Sequence, residues 1–176
     1  MTSHADCLIR PMQVEDIPRV AEIANSLPDA PRWPAAAYEA ALNPNSEPRR
    51  IALVAEAHKL NSAESETPES RLSSGLVVGF VVASLVAGEA ELESIAVVAA
   101  AQRRGVAGQI LSQLFAALRE HRVTRINLEV RASNRPALAF YRRHGFKEAG
   151  RRIGYYADPV EDAVLMDIDL GGPNSG

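Results

Sequence analysis

Apolar residues recur along this chain with two different periods, and the switches between them predict the elements. Cys7 to Arg10 reads as a short strand. From Val14 to Asn25, the residues Ile17, Val20, Ala21 and Ala24 fall on one helical face, which predicts a first helix. Pro28, Pro31 and Pro34 then break the chain into a loop carrying Trp33. Pro34 to Leu42 reads as a second short helix that begins on its proline. Ile51 to Ala57 is a strand, and Gly75 to Val86 is a long apolar β-run. Gly88 and its neighbours turn the chain into a strand from Glu91 to Val98. Val106 to Arg122 places Val106, Ile110, Leu111, Leu114, Phe115 and Leu118 on one helical face. Thr124 to Val130 alternates again. With a helix between them, this strand and the one before are expected to be parallel neighbours or near neighbours. Asn134 suits an N-cap and Pro136 a first helical turn, so a helix is expected up to His144, ended by Gly145. Phe146 to Glu148 and Ala163 to Leu170 read as closing strands.

Lys59 to Ser74 is rich in Ser, Glu, Asn and Pro, and is expected to be a mobile hairpin loop (59–74) within one domain. The tail, 171–176, is expected to fray. The elements together predict a single α+β domain over 1–176 with its core in 7–170. Its mixed sheet is centred on a β-α-β-α-β unit.

Composition narrows the function classes. The chain has 176 residues, 47% of them hydrophobic, which suits a packed globular core. A net charge of −3 gives no basic footprint, so no direct nucleic-acid partner is expected. No apolar run is long enough for a bilayer span, and Met1 to Asp6 lacks the pattern of a signal peptide. Cys7 is the only cysteine, which excludes an internal disulfide; it reads as a small half-buried residue rather than a nucleophile. His4, His58, His121 and His144 are scattered, so no metal is expected. The expectation is a soluble cytoplasmic monomer.

The chemistry gathers first at Gln102-Arg103-Arg104-Gly105-Val106-Ala107, between a strand and a helix. Unpaired N–H groups at a helix start, with the helix dipole behind them, favour an anion. Gly105 permits close backbone approach, and Arg103 and Arg104 add positive charge. A phosphorylated cofactor is the expectation. The nucleotide P-loop is excluded, because Ala107-Gly108-Gln109 supplies neither its Lys nor its Ser/Thr. The dinucleotide fingerprint is excluded as well, since three spaced glycines are missing.

The order Gln-x-x-Gly-x-Ala after a strand resembles the acetyl-coenzyme A loop of the GCN5-related N-acetyltransferases (GNAT). The series continues with Leu128-Glu129-Val130-Arg131-Ala132-Ser133-Asn134, then Ala139-Phe140-Tyr141, His144-Gly145-Phe146, Gly150-Arg151-Arg152, Tyr155-Tyr156, Glu161-Asp162-Ala163 and Met166. In this order it is similar to the bacterial ribosomal-protein-alanine branch of that family, closely over Glu91 to Leu170 and weakly before. The resemblance implies a three-layer α/β/α GNAT fold. Its sheet would be mixed and mostly antiparallel, with a central splayed parallel pair and about four helices. It implies acetyl-coenzyme A as cosubstrate. Ile95, Ala96 and Val97 would offer backbone groups to the pantetheine arm and the thioester carbonyl. Gln102, Arg103, Arg104, Gly105, Val106, Ala107 and Gly108 would cradle the pyrophosphate, and Asn134 would lie near the coenzyme. Glu129 matches the family's general base and Tyr141 its general acid, the latter also touching coenzyme. Trp33, Tyr155 and Tyr156, with Glu129, would line the acceptor pocket.

These roles are chemically coherent. A peptide α-amine has a pKa of about 7.7–8.0, so a carboxylate acting through a water suffices to free it near neutral pH. Partial burial of Glu129 would make it a better base. A tyrosine O–H can protonate the departing thiolate. Each assignment has a plainer rival: Glu129 as a solvent-facing strand residue paired with Arg131, and Tyr141 as a core aromatic beside Leu138. Arg142-Arg143 and Arg151-Arg152 read as solvated faces. The polar insertion from Lys59 to Ser74 is one departure from the family pattern, and three more stand out. Val98-Ala99-Ala100-Ala101 replaces an acidic residue and proline, Ala107 replaces a glycine, and Arg32 separates Pro31 from Trp33. The expected acceptor is the N-terminal α-amine of a protein, a ribosomal protein ending in alanine being the leading candidate. The alternatives are a small-molecule amine or a lysine as acceptor, or a coenzyme A-binding module without catalysis.

Overall fold

The structure is a computed structural model that describes residues 7–28, 32–57 and 75–171. The expected loop from Lys59 to Ser74, Pro31 and nearly all of the tail lie outside these residues.

Among the described residues, seven strands and four helices follow one another. They are β1 (Cys7–Pro11), α1 (Ile17–Ser26), α2 (Ala35–Leu42), β2 (Arg49–Ala57), β3 (Leu76–Val86), β4 (Glu89–Val97), α3 (Val106–Glu120), β5 (Arg125–Arg131), α4 (Arg135–Arg143), β6 (Lys147–Ala157) and β7 (Val160–Asp169). The strands form one sheet in the order β1-β2-β3-β4-β5-β7-β6. Every pairing is antiparallel except β4 with β5. The parallel neighbours expected from the intervening helix are these two.

Two apolar clusters make three layers. On one face α3 sets Val106, Ile110, Leu111, Leu114 and Leu118 against Leu53, Val81, Leu92 and Ile126, with Leu138 and Tyr141 of α4 beside them. On the other face Ile17, Val20 and Ile23 of α1 and Tyr38 of α2 cover Val54, Phe80, Val82 and Ala96. A sheet buried on both faces reads as a continuous apolar run, which is what β3 is. Gly79 lies where α3 crosses β3. A Cβ there would come within 2.9 Å of the Ala96 carbonyl oxygen and 3.0 Å of Ile110 Cδ1, so only glycine permits the approach.

Two features of β4 shape the site. Val82 pairs with Ser94 and Ala83 with Leu92, so Glu93 is an extra residue bulged out of the ladder. The pairing of β4 with β5 runs only through Glu89, Ala90 and Glu91, opposite Arg125, Ile126 and Asn127. Beyond Glu91 the two strands part, and β4 keeps a neighbour on its β3 side alone.

The structure corrects several expected boundaries. The first helix begins as a 3-10 turn over Val14–Asp16. There Arg10 grips Asp16 at 2.7 and 2.9 Å, and Asp16 in turn accepts from the Gln13 N–H. Helix α3 stops at Glu120, with Arg122 at a φ of 58°. The largest miss is β6, expected over Phe146 to Glu148 and found over eleven residues. All of them are exposed except the half-buried Tyr156, so an edge strand with no buried face carried no alternation to read.

Candidate active site

The turn between β4 and α3 is shaped by backbone. After Val97 the chain makes a 3-10 turn over Ala99–Ala101, and the Gln102 side chain reaches back so that its Nε2 donates to the Val97 carbonyl at 2.9 Å. Arg103 sits at φ 60° and Gly105 at φ 82°. Gly105 is the N-cap of α3 and offers no side-chain acceptor, so the N–H groups of the first turn, Val106 to Gly108, stay available to an outside anion. Arg103 and Arg104 are exposed, and neither forms an ion pair among the described residues. A phosphate group fits this turn by shape and by charge. Asn134 serves the local fold, since its Oδ1 accepts from the Ala137 N–H at 3.1 Å and caps α4.

At the other end of the splay, side chains dominate. A cleft of ≈ 670 Å³ opens on the sheet, lined among others by Glu89, Glu91, Asn127, Glu129, Arg152 and Leu165. Glu129 is half-buried, and Arg152 Nη1 donates to its Oε1 at 2.5 Å. The plainer pairing of Glu129 with Arg131 is therefore absent: Arg131 instead meets Glu161 at 3.3 Å. The expectation of a merely solvated Arg152 is likewise corrected. Its guanidinium stacks over the Tyr155 ring at 4.5 Å, and Arg131 stacks over Tyr156 at 4.1 Å. Arg142 does lie on an exposed face, paired there with Glu148.

The hairpin between β6 and β7 is thus tied to β5 at two points. Glu161 accepts from the Ser133 N–H as well as from Arg131. Glu129 also acts on the tyrosines. Its hydrogen bonding and then its charge raise the Tyr155 pKa, while Tyr156 is raised by burial first and by Glu129 second. Tyr141 is buried in α4 against Phe140 and Phe146, each at 5.4 Å between ring centroids. Burial, and then the neighbouring Tyr156, push its pKa up, so its hydroxyl keeps its proton throughout the neutral range. Tyr141 is a core aromatic beside Leu138, as its plainer reading held, and also a retained O–H donor.

Trp33 enters from the opposite side. It packs on Tyr38 at 5.3 Å, and the Arg50 guanidinium lies 6.0 Å from its ring. Arg50 binds Glu93, the bulged residue of β4, through two contacts of 2.8 and 3.1 Å. The Trp33 loop is thereby braced against the splayed strand.

The sequence reading passed over Glu91 and Arg152. The signal for Glu91 was present: Glu89, Glu91 and Glu93 alternate with Ala90 and Leu92, which are buried while Glu89 and Glu91 are exposed. No local signal marked Arg152, because its partner is twenty-three positions away along the chain.

Comparison with known proteins agrees with this geometry. The family described as "Acetyltransferase (GNAT) family" matches residues 24–146. The [ribosomal protein bS18]-alanine N-acetyltransferase of Escherichia coli (strain K12) is 39% identical over 98 residues, which cover 54% of this chain and 66% of that relative. The matched segment is thus just under two thirds of the relative's own length. The crystal structure of the ribosomal-protein-S18-alanine N-acetyltransferase from Escherichia coli superposes with a TM-score of 0.73 at 27% identity, covering 96% of this chain and 98% of that one. Arabidopsis thaliana NAA60, solved in complex with acetyl-CoA, shares the fold with a TM-score of 0.77 at 19% identity, over 95% of this chain and all of that one, 100%.

Proposed function

Because this chain belongs to the acetyltransferase (GNAT) family, we propose that it transfers an acetyl group from acetyl-coenzyme A to the N-terminal α-amine of a protein, a ribosomal protein beginning with alanine being the favoured acceptor. One observation carries the reading. Strand β4 leads from a carboxylate-lined cleft at Glu91 toward an uncapped helix start at Gly105, and beyond Glu91 no strand pairs with it on its β5 side. A phosphate-bearing cosubstrate and an amine can therefore meet along one edge. The likeness to the bS18-alanine enzyme supports the choice of acceptor.

Each residue then has a role. The turn from Gln102 to Gly108 holds the pyrophosphate on its backbone N–H groups, with Arg103 and Arg104 adding charge. Acetyl-coenzyme A supplies an activated acyl group on a good leaving thiolate. Backbone groups of Ile95 to Val97 hold the arm and polarise the carbonyl. Glu129 accepts the proton that the ammonium must lose, and Tyr141 returns one to the departing sulfur. Trp33, Tyr155 and Tyr156 enclose the acceptor's first residues. Proton transfer by positioned groups of this kind is worth about 10²–10⁴ in rate.

Thiol release from acetyl-coenzyme A, measured with peptides starting in Ala, Ser or Met and with several small amines, tests the reading. Release with the Ala-starting peptide, and the acetyl group mapped to its α-amine, is the expected result. Turnover of small amines alone would overturn the acceptor, and binding of the coenzyme without turnover of ribosomal proteins would overturn the activity.

A further inference from the structure

The first turn of α3 has a neighbour that does not belong to its own loop. Gly108 is the third residue of α3, and a Cβ there would lie 3.1 Å from His144 Nε2 and 3.8 Å from its Cε1. His144 is the C-cap of α4, so the end of α4 meets the start of α3 through this ring. The missing side chain at Gly108 is what lets the ring come so close. Gly105, Gly108 and His144 line one cavity of ≈ 600 Å³, together with Gln109 and Ser112 of α3 and Cys7 of β1.

The ring's own hydrogen bond decides what it can offer. His144 Nδ1 lies 2.8 Å from the Phe140 carbonyl oxygen, and the two rings are 4.3 Å apart. A carbonyl only accepts, so Nδ1 carries the hydrogen, and in the neutral ring Nε2 is left as a lone pair. Among the described residues no carboxylate lines the cavity, and Cys7 is its one other ionisable side chain. The charges next along the chain are cationic: Arg103 and Arg104 before Gly105, Arg142 and Arg143 before His144, with Arg142 taken up by Glu148. A phosphate is therefore the anion that can meet a second proton on this ring.

We propose that His144 is a further coenzyme-binding residue: as coenzyme A seats a phosphate group on the start of α3, the ring takes up a proton at Nε2 and donates it in a hydrogen bond to that phosphate. The proposal rests on the acetyltransferase reading above and deepens its coenzyme site. The step balances simply. One proton leaves the solvent and one N–H bond forms at Nε2, while Nδ1 keeps its hydrogen on Phe140. The α3 dipole presents about half a positive charge to the ring, which the charge of a phosphate outweighs. The resulting hydrogen bond joins two ions and is of the stronger kind.

Calorimetric titration of coenzyme A into wild type, His144→Gln and His144→Leu tests this, in mildly alkaline buffers that differ in ionisation enthalpy and so count protons. There an ordinary imidazole is neutral and a phosphate monoester is already fully ionised, so neither the free ring nor the ligand brings the proton. Wild type is expected to draw a proton from the buffer on binding. Both variants should draw none, and His144→Leu should bind roughly tenfold more weakly. Leucine keeps an apolar side chain against Phe140 and Gly108, and thermal unfolding checks that it is folded; where it is not, His144→Gln decides by its proton count. Coenzyme binding by wild type without proton uptake, uptake that persists in the variants, or an unaltered affinity in folded His144→Leu would overturn the proposal. Dephospho-coenzyme A locates the contact: uptake retained assigns it to the pyrophosphate, and uptake lost assigns it to the ribose 3′-phosphate. A wild type that binds no coenzyme A at all would instead overturn the acetyltransferase reading, so the two failures are separable.

Discussion

The turn entering α3 follows the C-terminal end of β4, the hairpin joining β6 to β7 lies beside the C-terminal end of β5, and these two arms of the splay are made of different things. In the turn, shape comes from backbone: two residues at positive φ, a bare N-cap, and a glutamine strapped to Val97. In the hairpin it comes from charge and rings: Arg152 on Glu129 and Tyr155, Arg131 on Glu161 and Tyr156. A backbone device needs one residue type at one place, and a side-chain network can be assembled from many distant places. Perturbing each end should therefore separate coenzyme binding from acceptor handling.

The largest effect is expected at Tyr141, the proposed proton donor to the departing sulfur. Tyr141→Phe removes one hydroxyl and keeps the ring between Phe140 and Phe146. The expected outcome is a fall in kcat of about 10²–10⁴ with the coenzyme dissociation constant unchanged, read by steady-state kinetics and titration calorimetry. Equal losses in both quantities would mean that the residue serves packing only.

Gly105→Val comes next and acts on the turn alone. A side chain at φ 82° is strained, and a β-branched one most of all. Thermal unfolding should show a stability loss of about 1–2 kcal/mol. Acetyl-coenzyme A affinity should drop steeply as the N–H groups of the first helical turn are displaced. Unaltered affinity would mean that the turn is not the phosphate site.

This asymmetry explains what was legible in the sequence. Gly105 and its neighbours announce themselves locally, because a strand, a glycine and an amphipathic helix follow in order. The α3 face was readable from Val106 to Leu118 for the same reason: its partners are spaced at the helical period. The parallel pair followed from chain connection. The hairpin was nearly invisible. Its strand buries neither face, and the meaning of Arg152 depends on Glu129 lying across β7 from it, a fact of sheet order rather than of spacing. Glu91 falls between the cases. Its alternation was visible, but its place beside Glu129 in the cleft emerges only once the sheet order is known.

A medium effect probes the hairpin. Arg131→Ala breaks the contact with Glu161 and uncovers the Tyr156 ring. The peptide KM should rise severalfold while coenzyme binding holds, because the acceptor wall loosens and the turn does not. The tether also has a defined pH window. Hydrogen bonding from Ser133 first, and Arg131 after it, keep the Glu161 pKa below its ordinary value of 4.5. A depressed carboxyl pKa contributes above its unfolded value and is lost as pH falls through the folded one. Peptide KM should therefore show no change from this group through the neutral range and rise only in acid below that value.

The smallest effect is at the charges of the turn. Arg103 and Arg104 are exposed, and among the described residues neither has an ion-pair partner that would hold it in place. Each Ala substitution removes one screened attraction of about 1 kcal/mol or less, so coenzyme affinity should fall only a few-fold. The loss should shrink further as salt is raised, because the Debye length contracts to about 3 Å at 1 M. The hairpin offers the contrast. Arg131 is partly shielded by the Tyr156 ring and bound to Glu161, so the Arg131→Ala effect on peptide KM should resist the same salt. If both effects fade alike, the hairpin is held by open charge as the turn is, and the difference between the two ends is smaller than their geometry implies.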